Sequence, residues 1–129
     1  MTEPEFLSVN DVLLIHEEQI DTYGGIRGIR DTGLLESAIM TPQASFGGEY
    51  LHNGLFEMAA AYAFHIAENQ PFLDGNKRTA LVSALVFLDI NGTEILDAEM
   101  VLYNAMIAIS NKEMDKYDLA ALFEDLSKK

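Results

Sequence analysis

Nine consecutive residues, Gln70-Pro71-Phe72-Leu73-Asp74-Gly75-Asn76-Lys77-Arg78, bring a carboxylate, a glycine, two amides and two cations together just ahead of an apolar run. If that run is a helix, its first turn offers unpaired N–H groups and the positive end of the macrodipole, which stabilise an anion before any side chain contributes. Gly75 lets the backbone come close to such an anion. Lys77 and Arg78 stand where the helix dipole disfavours cations, so something negative is expected among them, and phosphate is the candidate. Asp74 would then face the same anion, a repulsive pairing unless a divalent cation bridges the two. Magnesium, held by one or two carboxylates and by phosphate oxygens, fits that need. Phe72 most simply anchors the loop in the core. By spacing alone, a capped helix start with two solvated cations describes the segment equally well, because short glycine-containing motifs are not specific.

The elements that must position this loop are helices. Asn53 to Asn69 reads as a helix apolar over most of its circumference, and Lys77 to Ile90 as a second, ended by Asn91-Gly92. These two should form the core, joined by the loop. Ser8 caps a first helix on which Val9, Val12, Leu13, His16 and Ile20 share a face, stopped by Tyr23-Gly24-Gly25. Asp31 caps a short helix through Ile39 that must end before Pro42. Residues 42 to 52 read as an irregular flap. Asp97 to Ile109 forms a fifth helix capped by Asp97, and Asp118 to Leu126 a sixth, with Leu119, Leu122, Phe123 and Leu126 in one stripe. No run alternates as a strand, so the expected fold is all-α, in one domain spanning residues 1–129.

Composition narrows the function classes. The 129 residues are 49% hydrophobic and 22% charged, enough for one core and unlike a disordered chain. A net charge of −13 argues against general nucleic-acid binding, which needs clustered Lys and Arg, so any phosphate site must be local. There are no cysteines, which removes thiolate chemistry and suits a reducing cytoplasm. The acidic start Met1-Thr2-Glu3-Pro4-Glu5 lacks a signal core, and the run Ala80 to Ile90, broken by Ser83 and Asp89, is far short of the ~20 residues of a membrane span.

Pro71 to Arg78 resembles the signature of the Fic/Doc family. Tyr23-Gly24-Gly25, Arg30-Asp31-Thr32-Gly33-Leu34-Leu35-Glu36 and Arg78-Thr79-Ala80-Leu81 resemble its Doc (death-on-curing) branch. The resemblance implies an all-α fold with Asp74 on Mg2+, Gly75, Asn76 and Lys77 around the phosphates of ATP, and Arg78 gripping a terminal phosphate. Fic adenylyltransferases carry glycine where this chain has Lys77, and lysine there resembles Doc. Doc-type proteins use ATP to phosphorylate a threonine of elongation factor Tu and are silenced by a small antitoxin, so those partners are implied too. AMP transfer of the Fic type is the alternative chemistry, and a silent nucleotide- or antitoxin-binding module is a third reading.

One departure bears on activity. The family motif opens with a histidine that takes the proton of the target hydroxyl, and this chain has Gln70 there. An amide has no proton affinity near neutral pH, and general-base catalysis is typically worth about 10²–10⁴-fold. Gln70 could still orient a hydroxyl or a water. His65, five residues earlier, and His16, on the apolar stripe of the first helix, read as structural, and His52 as a cap or part of the flap. Three scattered histidines make no zinc signature. Gln43 to Leu51, with Gly47-Gly48 at its middle, corresponds by resemblance to the Fic flap, along which a target segment lies extended. The family's inhibitory Ser/Thr-x-x-x-Glu-Gly/Asn motif is not met by Thr32 to Ser37, so inhibition is expected from a partner.

Overall fold

A computed structural model describes residues 3–97 and 100–127. In chain order these form α1 (Val9–Tyr23), α2 (Thr32–Met40), a 3-10 turn (Thr41–Gln43), β1 (Ser45–Phe46), β2 (Glu49–Tyr50), α3 (Leu55–Asn69), α4 (Asn76–Ile90), α5 (Val101–Ser110) and α6 (Lys116–Leu126). The fold is all-α, with one two-stranded antiparallel ribbon.

Helix α3 is the hub because alanines and other apolar side chains cover most of its circumference. Ala59, Ala60, Ala61 and Ala63 are buried there, which lets neighbouring helices approach closely. It packs most extensively on α4 and also meets α6, α2 and α5. Tyr62, Phe87 of α4 and Phe123 of α6 are fully buried in the shared core, each burial worth roughly 1.5–3 kcal/mol or more. Tyr62 keeps its polar end satisfied by accepting the Leu7 N–H at 2.9 Å, and burial pushes its phenol up to about 12.

Helix starts follow local capping chemistry. Ser8 and Asp11 close a reciprocal box at α1, and the Asp31 carboxylate accepts the Leu34 N–H at the start of α2. The sixth helix starts at Lys116 rather than Asp118. Asp115 is its cap, and Asp118 is the third helical residue of a second capping box. The third begins at Leu55, not Asn53, after Gly54 at φ 90°, and α4 begins at Asn76, not Lys77.

The expected start of the fifth helix at Asp97 is also corrected. Its carboxylate accepts from the Val101 and Leu102 N–H groups, but Met100 turns left-handed at φ 57° and the helix begins after it. Part of that expected helix, residues 98 and 99, lies outside the described residues, as do Met1 and Thr2. The flap, read as irregular, holds the 3-10 turn and a hairpin pairing Ser45 with Tyr50 and Phe46 with Glu49. Two-residue strands are too short to show alternation. Among the described residues no helix is long and apolar enough to cross a membrane.

Candidate phosphate site at the start of α4

The loop between α3 and α4 is shaped by two left-handed residues, Gln70 at φ 47° closing α3 and Gly75 at φ 75° opening α4. Between them Phe72 is buried, 1% exposed, and its ring stacks on His16 of α1 at 3.8 Å between centroids. His16 Nε2 also lies 2.9 Å from the Asp74 carbonyl oxygen. The Asn76 side chain spans the loop, accepting the Phe72 N–H and donating to the Phe72 carbonyl, both at 3.0 Å. Its amide is therefore committed to holding the turn, which leaves the Asn76 backbone N–H for a ligand.

Residues 24–31, between α1 and α2, strap the loop from outside. The Leu73 N–H donates to the Gly28 carbonyl, Ile29 and Phe72 form an antiparallel bridge, and the Arg30 and Asp31 N–H groups both donate to the Pro71 carbonyl. The Arg30 guanidinium donates to the Asn69 and Gln70 carbonyls, each at 2.7 Å. Glycine at position 25 is a requirement of close approach, since a Cβ there would lie 2.8 Å from Asp74 Oδ2.

Asp74 accepts the Ile26 N–H on Oδ2 at 3.1 Å and the Gly75 N–H on Oδ1 at 2.8 Å. Those two amides hold its carboxyl below the usual carboxylate range, with the nearby Arg78 charge adding to the effect. A carboxylate has about four lone-pair sites, so two bonds leave coordination capacity. Arg78 lies over Gly75, donates to the Gly24 carbonyl at 3.1 Å and sits 5.4 Å from the Tyr23 ring centroid. No side chain caps α4, and its first intrahelical donor is Thr79, bonded to the Gly75 carbonyl. The first-turn N–H groups ahead of Thr79 therefore lack helical partners.

Gln70, Asp74, Gly75, Asn76, Lys77 and Arg78 line one cleft of about 530 Å3, bounded across from them by Tyr103 and Ser110 of α5. Neither α5 residue was indicated by the sequence, because contact between helices so far apart in the chain leaves no local pattern. The strapping role of Arg30 was missed for the same reason. A larger cavity of about 800 Å3 beside β2 has Glu3, Glu49 and His52 among its lining and neither Lys nor Arg, which makes it a poor host for an anion. Among the described residues no group of three or more His, Asp or Glu side chains converges as a metal site. A cation at Asp74 would thus complete its shell with oxygens from elsewhere, as magnesium does with phosphates.

Among the described residues no histidine lines this cleft. His16 is the brace described above, 4% exposed. His52 Nε2 and His65 Nε2 lie 2.9 and 3.1 Å from Lys116 Nζ, at the junction of the flap, α3 and α6.

Comparison with known proteins places this architecture. Residues 6–88 match the model of the Fic/DOC family. The chain is 39% identical over 92 residues to the protein kinase doc of Escherichia phage P1, covering 71% of this chain and 72% of that protein. It is 40% identical over 91 residues to the toxin Doc of Mycolicibacterium smegmatis, covering 70% of this chain and 68% of that one. The family match contains the strap, the loop and all but the last two residues of α4, and the chain belongs to the Fic/Doc family.

Proposed function

We propose that this protein is a Doc-like toxin component, built as an ATP-dependent protein phosphotransferase that acts on a hydroxyl of a translation factor and is restrained by a small antitoxin. The observation that carries the reading is the uncapped start of α4, which opens into the cleft beside a carboxylate held ionised and two cations. The likeness to one protein named a kinase and another named a toxin supports it.

The first-turn N–H groups of α4 bind phosphate oxygens, and Lys77 and Arg78 offset their charge. Asp74 would hold Mg2+, which when bound would neutralise charge on the phosphates. The target hydroxyl attacks the γ-phosphorus, the bond to the β–γ bridging oxygen breaks so that ADP leaves, and the hydroxyl proton passes to water or a phosphate oxygen. Arg78 gives one N–H to the Gly24 carbonyl and keeps its other guanidinium donors for the transferred group. At position 70 an amide can orient the hydroxyl through a hydrogen bond but cannot take its proton, so turnover is slow compared with a histidine-bearing site.

A second reading rests on Gln70 itself: a silent module that binds nucleotide or antitoxin without transfer. A third keeps the cleft but transfers AMP, as Fic enzymes do. Incubation with elongation factor Tu and ATP labelled at either the α or the γ phosphate separates them. Label from γ alone supports phosphotransfer, label from α supports AMP transfer, and protein that binds ATP but incorporates neither label is the silent module.

A further inference from the structure

We infer that Arg30 is a positioning residue for position 70. It holds that residue left-handed, so that its side chain is delivered to the cleft. The inference rests on the reading of the cleft as a transfer site only for its kinetic consequence, not for its structural one.

Helices that end in a left-handed residue normally place glycine or asparagine there, because a Cβ is disfavoured in that conformation. Gln70 has neither advantage. Only two other non-glycine described residues, Met100 and Lys112, share a positive φ, and neither lines the phosphate cleft. Pro71 keeps residue 70 out of the right-handed helical region but leaves the extended region open. What selects the left-handed state must come from outside the loop.

Arg30 supplies it. Its planar fork meets the carbonyls of residues 69 and 70, while its own N–H and that of Asp31 meet the carbonyl of residue 71, so three successive carbonyls are fixed by one corner of the strap. A cation at the last carbonyls of α3 also suits the negative end of that helix. Arg30 is exposed, and among the described residues its guanidinium bonds only backbone carbonyls. An extended residue 70 would turn its own carbonyl away from that of residue 69 and lose the fork. Asp74 is held by Ile26 and His16 and Arg78 by Gly24, so the phosphate cradle does not depend on the Arg30 side chain.

A double-mutant cycle tests this without any assay of transfer. Unfolding constants are measured by denaturant for the parent, Arg30→Ala, Gln70→Gly and the double variant. Glycine adopts the left-handed state unaided, so Arg30→Ala should raise the unfolding constant about fivefold more in the Gln70 chain than in the Gln70→Gly chain. Effects of glycine on the unfolded chain cancel between the two comparisons. An equal rise in both backgrounds overturns the inference.

The kinetic arm uses Gln70→His with γ-labelled ATP. Adding Arg30→Ala should lower kcat roughly ten- to a hundredfold and leave KM for ATP unchanged, and Arg30→Lys, which cannot fork two carbonyls, should recover part of the loss. An unaltered kcat overturns the positioning role. Complete absence of transfer from Gln70→His instead counts against the reading of the cleft, while the stability cycle still decides the role of Arg30.

Discussion

Asp74 is the residue on which local geometry and chemistry agree most closely. Two backbone amides pin its carboxylate and keep it ionised, yet half of its accepting capacity is left over. Gln70 is the residue on which they diverge. Its backbone is held in place, but its side chain lacks the proton affinity that the Fic/Doc resemblance assigns to that position. Restoring an imidazole with Gln70→His should raise phosphate incorporation by about 10²–10⁴-fold. It should also create a pH–rate limb near the ordinary histidine pKa, checked by γ-label incorporation across pH. An unchanged rate would mean that proton removal does not limit the reaction.

At the scale of elements, helices were legible wherever apolar period and capping residue coincided, as at Ser8 and Asp31. The start of α6 slipped because Asp118, read as its first residue, is the third helical residue of a capping box opened by Asp115. The loop itself stood out because its residue types conflict with a bare helix dipole. The strap did not, since the contacts of Arg30 lie 39 and 40 residues away in sequence and obey no local period. Three basic groups joining the flap, α3 and α6 were equally hidden. Lys116 Nζ sits between His52 and His65, with Glu57 and Glu68 the acids that act on these rings.

Burial, then the Lys116 charge, pushes His65 down from 6.5 to about 4 and lowers His52 in the same way. A histidine whose folded pKa is depressed gives up protons on folding. Stability is therefore fully present above about pH 6.5 and is lost as pH falls toward 4. The loss from His65 should be on the order of 1–2 kcal/mol after allowing for the solvent that still reaches the ring. Denaturant midpoints between neutral and mildly acidic pH should fall for the parent and fall less for His65→Gln. Equal slopes would contradict the cluster's part in holding α6 to α3.

Over the whole molecule, the proposed phosphate site belongs to a chain of net charge −13. Short-range contacts at the start of α4 must overcome a long-range field that repels nucleotides. Raising salt from about 0.01 M to about 0.15 M shortens the screening length from about 30 Å to about 8 Å, which removes the distant repulsion before it touches bonds made at contact. Nucleotide affinity should accordingly hold or rise over that range. A steep fall, of the kind shown by basic surfaces that bind polyanions, would argue that the cleft is not where the nucleotide goes. The most direct measurement is calorimetric titration of ATP into the protein, with and without Mg2+, beside Asp74→Asn. Saturable binding at one site is expected, weakened by removing Mg2+ and weakened similarly in the variant. No binding by the parent, or binding indifferent to both Mg2+ and Asp74, would contradict it.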